Sequence, residues 1–420
     1  MTTLRSLVSK ALSAETVVTL VGCALALMAG RYAGQGKYTI GIALAAIVVL
    51  AVISLRPRYL VTLGAFLMFV PGYFVGGIPL NEWGGAITAV AVLVFAGSKL
   101  RVSKLLIVLG PLFLSWATLV FLLHPTGDAG VRRLLHLIVW VLLAIALSAS
   151  QVPRRPLAIG LLAGGVASIA GAVLFSSYAG RFGGLIGDPN TFVAILVIFT
   201  PIVLAEFHGR WARVLIAGGS ATMVLATGSR TGVVALAAGI GVLILLPILR
   251  AWALWLAAGL GLLTWIAPEG IRTSAGYNDR AGSDALRERI QTAAEALVAR
   301  GPWTGNGLST ARVTLDGRMF FFHNSYSALL AEIGLVGGAF YALIVVGALW
   351  QGCRNPTARG AVAGICAGLV TAITLGEVLL DLPIAAAIGL ALSSSLRNPT
   401  KEATTDNRVG DQVPPELVST

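Results

Sequence analysis

Charge is what this sequence has least of. Only 11% of its 420 residues are Asp, Glu, Lys or Arg, against roughly 25% in ordinary soluble domains. With 57% hydrophobic residues and a mean hydropathy of +0.87, that scarcity excludes a soluble globular protein. Cysteine is nearly absent. Cys23, Cys353 and Cys366 sit in or beside apolar runs, so neither a disulfide framework nor a thiolate metal cage is expected. The four histidines, His124, His136, His208 and His323, lack metal-ligand spacing, and no Asp-x-Asp pair is present to hold a divalent ion against a nucleotide sugar. These absences argue against a metal-dependent, nucleotide-sugar enzyme and predict no metal and no cofactor. No internal repeat is evident.

What the chain does have is a succession of apolar runs, near 16–30, 38–55, 59–78, 84–97, 105–123, 134–149, 157–176, 191–206, 214–227, 231–249, 252–267, 323–350, 361–376 and 382–395. They predict an all-α, polytopic integral membrane protein. Several runs fall short of the roughly 20 residues a span needs, so about 12–14 transmembrane helices are expected, two of the runs being re-entrant or merged. The fifty glycines fit, because small residues let membrane helices approach closely. A basic start (Arg5, Lys10) before the first run, with Leu-Val-Gly ahead of Cys23, has features of a signal peptide. The run continues past Cys23, and it reads as an uncleaved first span.

Orientation comes from Lys and Arg. With the N-terminus inside, the inner connections and the two tails hold 17 of the 30 basic residues, against six in the short outer loops. The +12 balance therefore needs no nucleic-acid partner. Residues 1–395 form one transmembrane unit, 268–322 its large extracytoplasmic loop, and 396–420 a polar, Pro-containing tail read as disordered and cytoplasmic. Within the loop, Ser283 or Asp284 starts a helix that ends near Arg300-Gly301. Leu286, Ile290, Ala293 or Ala294 and Leu297 make its apolar stripe, and Arg287, Glu288, Gln291 and Glu295 its opposite face. It reads as an amphipathic helix lying on the outer membrane surface.

Arginine near lipid is costly unless it meets water, a carboxylate or a phosphate. Arg181 in "SYAGRFGGLIGDPN", Arg230 in "TGSRTG" and Arg289 on the loop helix all fall on the outer side. Each is suited either to bidentate phosphate binding or to snorkelling toward headgroups. Three on the side that the positive-inside bias disfavours point to an anionic ligand, with a pyrophosphate-linked lipid the natural candidate. His323 stands where the loop meets a span and suits a general base for a hydroxyl acceptor, or an ordinary hydrogen-bonded interface residue. On a continuous helix Glu332 lies about 180° from His323 and about 13 Å deeper, which predicts a buried polar contact to another helix, with a proton relay as the alternative. Glu377 and Asp381 share a face if their segment is helical, and are placed to neutralise an arginine, orient an acceptor or contact headgroups.

These pieces resemble the O-antigen ligase and polymerase family of bacterial membrane glycosyltransferases. His323-Asn324, nine residues, Gly334, two residues and Gly337 match the family's signature, and "RFGGLIGDPN", "TGSRTG" and "RIQTAAEALVARGPWTGNGLST" resemble its upstream segments. The resemblance spans roughly 180 to 345. A tryptophan common after the loop arginine is replaced by Ala293, which leaves Arg287 and Arg289 as alternatives for that arginine. The resemblance implies a multi-pass protein of the bacterial plasma membrane whose donor is an undecaprenyl-pyrophosphate-linked glycan. It implies transfer to a saccharide, lipid or protein hydroxyl on the extracytoplasmic side, without metal, and through polymerisation or ligation. His323 and Arg289 would be catalytic, and Arg181, Asn190, Arg230, Arg287 and Asn324 would bind substrate. A transporter or flippase that moves the lipid-linked sugar without forming a bond is the competing reading. Clustering of the polar residues at the outer edge, rather than at a midplane between repeats, favours the enzyme.

Overall fold

In the computed structural model the apolar runs become helices that bury their shared faces and leave apolar side chains on the perimeter. The structure describes residues 57–70, 74–75, 78–96, 101–175, 182–183, 185, 188–266 and 281–393. The runs 16–30 and 38–55, the tail 396–420 and the start of the large loop lie outside the described residues. In chain order the α-helices are α1 (Pro57–Leu67), α2 (Leu80–Ala96), α3 (Lys104–Leu123), α4 (Gly127–Leu147), α5 (Arg154–Phe175), α6 (Pro189–Glu206) and α7 (Arg210–Ala226). They continue with α8 (Arg230–Leu249), α9 (Ala253–Ile266), α10 (Ala281–Arg300), α11 (Ser325–Cys353), α12 (Arg359–Thr371) and α13 (Leu382–Leu392). Among the described residues two small antiparallel ribbons accompany them: β1 (Phe74–Val75) with β2 (Ile78–Pro79), and β3 (Arg312–Leu315) with β4 (Arg318–Phe321).

The chain is an all-α, multi-pass membrane protein. Among the described residues five stretches are long and apolar enough to cross a bilayer: Lys104–Leu123, Gly127–Leu147, Pro189–Glu206, Arg230–Leu262 and Ser325–Cys353. The fourth folds back at the 3-10 turn Arg250–Trp252, so that α8 and α9 pack on each other. The runs 361–376 and 382–395 give helices of only 13 and 11 residues, too short to span alone. They form the buried centre with α6. A Cβ at Gly360 would come within 2.7 Å of the Pro201 carbonyl, and one at Gly364 within 2.7 Å of the Ile198 carbonyl. Glycine at this spacing brings the α12 backbone directly onto α6. Around this centre, exposed apolar side chains such as Leu122, Leu215, Ile248 and Val346 form a surface suited only to lipid. At the far end of α11 Arg354 lies over the Trp350 ring, 4.0 Å from its centroid, and Trp252 is exposed, an arrangement typical of a membrane interface.

Two expectations are corrected by this packing. The stripe of α10 does not face lipid. Ile290 and Ala294 are fully buried with Phe322, Ala328 and Ala331, because a narrow stripe of small and branched side chains fits a protein groove. Its polar face is left in the open, with Arg287, Glu288, Arg289 and Glu295 exposed. Second, the loop contains the hairpin β3–β4, turned by Asp316-Gly317, both at positive φ (52° and 75°). Asp-Gly at a two-residue turn is the strongest local hairpin signal in the sequence, and the helix-only reading passed over it.

A break in α11 sets how the large loop meets the bundle. Gly334 has φ 66° and ψ −173° inside an otherwise helical run, a conformation that L side chains rarely adopt. Polar contacts from the loop and from Trp116 fill the gap. The amides of Asn306 and Gly307 donate to the carbonyls of Ala331 (2.8 Å) and Glu332 (3.3 Å), and the amides of Leu335 and Val336 donate to Pro302 (2.8 Å) and Trp303 (3.3 Å). The Trp116 indole donates to the Ile333 carbonyl at 2.9 Å. Backbone groups freed near the break thus find partners, as buried backbone in a membrane requires. A Cβ on Gly334 would sit 2.3 Å from the Trp303 carbonyl oxygen. At this position the missing side chain admits the Trp303–Gly307 loop.

Candidate active site

His323 is held from both sides by its neighbours. Phe322 before it is fully buried among the loop-helix residues. Asn324 after it is the N-cap of α11, its side-chain oxygen accepting from the amides of Tyr326 (2.9 Å) and Ser327 (3.2 Å). Asn324, expected to bind substrate, is thus engaged by the helix that it starts. Ser325 ties this point to the segment between α12 and α13. Its amide donates to the Ala372 carbonyl (2.9 Å), its hydroxyl donates to Leu375 (2.5 Å), and the hydroxyl accepts from the Val378 amide (2.9 Å).

The imidazole opens into a cavity of about 870 Å³. Its walls come from α2, α4, α6, the β3–β4 hairpin and the 375–381 segment, and among the described residues no hydrogen bond engages the ring of His323. Burial pulls this imidazole below its ordinary value; the positive charge of Arg287 acts in the same direction and Asp188 opposes them. Asp188 and Asn190 also line the cavity. Asp188 caps α6, accepting from the Asn190 amide (3.4 Å) and from the Thr191 amide (2.9 Å) and hydroxyl (2.6 Å). Pro at the first helical position comes directly after it, which explains the local sequence Gly-Asp-Pro-Asn.

The opposite wall carries residues that the sequence reading did not single out: Asn81 and Glu82 on α2, and Asp128, Arg132, Arg133 and His136 on α4. Arg133 Nε donates to Glu332 Oε2 at 3.0 Å, with 11% and 1% of the two side chains exposed, and its Nη2 lies 4.0 Å from Glu377 Oε1. The buried contact expected of Glu332 is therefore an ion pair across the bundle. Glu377 and Asp381 both line the cavity, but they do not share a helix face. A 3-10 turn, Val378–Leu380, separates them; Glu377 sits at φ 64°, and Asp381 caps α13. Arg132 and Arg133 satisfied the criterion that selected Arg181 and Arg230, arginine at the mouth of a span on the disfavoured side, and that signal could have found them.

Among the described residues, the other expected site residues do not line this cavity. Arg181 lies outside the described residues. Arg230 opens α8 beside Ser229, whose hydroxyl caps the helix through the Gly232 amide (3.2 Å). The neighbouring Thr231 hydroxyl meets that of Thr374 at 2.6 Å, one residue from the cavity-lining Leu375. Arg289 is exposed and bound bidentately to Asp316 (2.9 and 3.2 Å) at the hairpin turn. Of the two loop-helix arginines, Arg287 is the one whose charge reaches His323. Among the described residues no three His, Cys, Asp or Glu side chains converge as metal ligands.

Residues 214–342 match the family model described as O-Antigen ligase. The match supports assignment to the O-antigen ligase family. No curated protein matches the chain. The matched stretch takes in Arg230, Arg287, Arg289, His323 and Gly334, and stops short of the α2 and α4 wall. An O-antigen ligase assignment supports an enzyme of the ligase or glycosyltransferase kind that moves a glycan onto an acceptor at a membrane.

Proposed function

We propose that this protein transfers a saccharide from an undecaprenyl-pyrophosphate-linked donor to an acceptor hydroxyl, on the outer face of a bacterial plasma membrane. The observation that carries this reading is the His323 imidazole. It lines a cavity that also carries charged side chains, among them Asp128, Arg132, Arg133 and Glu377, without a hydrogen bond among the described residues, and it is biased toward its neutral form. A neutral imidazole is what a general base needs at the start of the reaction. The acceptor oxygen attacks the anomeric carbon as its proton passes to the imidazole, and the bond from that carbon to the phosphate oxygen breaks. One displacement inverts the anomeric centre and releases lipid pyrophosphate, without a metal. Arg230, Arg287 and Arg181 hold the pyrophosphate and stabilise the charge that grows on it. Arg287 takes this role in preference to Arg289, because its charge is the one that acts on His323. The distribution of Lys and Arg supports an outward-facing His323 end.

Purified protein in detergent, given an undecaprenyl-pyrophosphate-linked oligosaccharide and a panel of acceptors, is expected to form covalent product and free lipid pyrophosphate. His323→Ala and Arg230→Ala, present at wild-type abundance, are each expected to lose about 10²- to 10⁴-fold in transfer. Full activity in either variant removes its assigned role. Movement of lipid-linked sugar across vesicles with no covalent product would make the protein a flippase.

A further inference from the structure

His136 lies on the wall of the cavity away from His323, and both of its ring nitrogens face acceptors. Nε2 is 2.7 Å from the carbonyl oxygen of Leu380, which can only accept, so Nε2 carries a hydrogen. Nδ1 is 3.2 Å from Glu82 Oε1. A neutral ring protonated on Nε2 would turn a lone pair toward that carboxylate. An imidazolium satisfies both contacts at once. The charged groups around the ring are Glu82 on α2, Arg133 on α4 and Asp381 beside Leu380, and Arg133 is itself engaged by Glu332 and Glu377.

The contact with Leu380 matters because of what that residue belongs to. It ends the turn Val378–Leu380, whose first amide donates to the Ser325 hydroxyl (2.9 Å). The same hydroxyl donates to Leu375, and the Ser325 amide donates to Ala372. Ser325 is two residues past His323. Next to it Gly376 is pressed so closely on the Phe322 carbonyl that a Cβ would lie 2.0 Å from that oxygen. The segment therefore cannot shift without moving the backbone on either side of His323.

We propose that Glu82 and the His136 imidazolium form a positioning pair, which pins the 375–381 segment to α2 and α4 and thereby sets the place of His323. The relevance of His323 rests on the transferase reading above; the protonation of His136 does not. The pair holds one proton more than a neutral histidine beside a carboxylate. As pH rises and that proton leaves, one of the two hydrogen bonds is lost and a lone pair faces the carboxylate at contact distance. The pin is thus complete at lower pH and released at higher pH. Glu82→Gln separates charge from geometry: its amide donates to Nδ1 of a neutral ring that still donates to Leu380, so the pin persists without the extra proton. Glu82→Ala leaves Nδ1 unpartnered.

The test is nitrogen NMR of histidine-labelled full-length protein in lipid nanodiscs, with His136→Gln to assign the His136 signals. At pH 7 the wild type is expected to show both His136 ring nitrogens protonated, and Glu82→Gln only Nε2. The titration midpoint of His323 is expected to stay at its wild-type position in Glu82→Gln and to move in Glu82→Ala. A wild-type His136 protonated on one nitrogen only, or a His323 midpoint indifferent to Glu82→Ala, overturns the proposal. Transfer assays add a second readout. Glu82→Ala is expected to lose about tenfold in kcat, the worth of a hydrogen bond to a charged group, with donor KM unchanged; Glu82→Gln recovers it and loses the alkaline limb of the wild type. Equal losses in the two variants would make Glu82 merely structural and overturn the pair. Absence of product from wild-type protein would fail the transferase reading while leaving the NMR outcomes decisive.

Discussion

Two arginine–carboxylate pairs flank the candidate site, and the one with the better hydrogen-bond geometry is the less consequential. Arg289 and Asp316 meet through two contacts, at 2.9 and 3.2 Å, with 53% and 73% of their side chains exposed. Arg133 and Glu332 meet through one contact at 3.0 Å, with 11% and 1% exposed. In water the first pair is screened and competes with solvent for both partners. In the second pair Glu332 is shut off from solvent and Arg133 nearly so, and each charge depends chiefly on the other. Burial, more than the number of hydrogen bonds, decides what each pair does for the molecule.

The largest effect is expected where one buried partner is removed. Glu332→Ala strands the Arg133 guanidinium with only the longer contact to Glu377, and a loss of roughly 3–5 kcal/mol is usual for such a break. The variant should unfold at a clearly lower temperature in detergent than the wild type. Arg133→Met combined with Glu332→Leu removes both charges and should recover most of that loss. A melting curve for Glu332→Ala that overlays the wild type would show that the pair does not hold α4 to α11, and would dissolve the contrast with Arg289–Asp316.

A smaller effect, on rate rather than on folding, separates the two loop-helix arginines. Burial and the charge of Arg287 hold the His323 imidazole below its ordinary value, against the opposing pull of Asp188. The base-competent form is the neutral ring, so transfer should fall as pH drops through a midpoint that lies under the usual value of about 6.5 for histidine. Removing the positive charge with Arg287→Gln should move that acid limb to higher pH, and Asp188→Asn, which keeps a capping side chain on α6, should move it to lower pH. Arg289→Gln should leave it in place. Equal shifts from Arg287→Gln and Arg289→Gln would mean that the loop helix acts on His323 as a whole.

The same contrast shows why the sequence disclosed some of this site and concealed the rest. The multi-pass fold was legible because hydropathy is a local property, and the place of His323-Asn324 at the mouth of a span was legible because a polar loop gives way there to an apolar run. The partner of Glu332 was not, since Arg133 lies 199 residues away and no spacing rule reaches across the bundle. Gly334 was legible as part of a pattern, but its conformation was not. Its backbone is fixed by the carbonyl of Trp303 on another segment, which a straight-helix projection cannot include. The stripe on α10 was drawn correctly from its period, yet periodicity says only that a face is apolar, and the face found Phe322 and Ala331 instead of lipid. Arg132 and Arg133 were missed for a different reason: the family resemblance begins near residue 180, and both lie before it.

The smallest effect is expected at Arg289 and Asp316. The guanidinium beside Asp316 holds that carboxyl below the usual carboxylate range, chiefly through the hydrogen bonds between them, so the pair is intact at neutral pH and is lost as pH falls through the lowered value. Both groups lie at the surface, where long side chains give up freedom to hold one geometry. Asp316→Asn and Arg289→Ala should therefore melt with the wild type, and raising the salt concentration should not widen any difference. Transfer by Arg289→Ala should stay within a few-fold of wild type while Arg287→Ala falls further, because only Arg287 is placed to act on His323. The reverse order would return the catalytic role to Arg289. It would also require the Asp316 contact to open when the donor binds, which Asp316→Asn would then reveal as a lower KM for the donor.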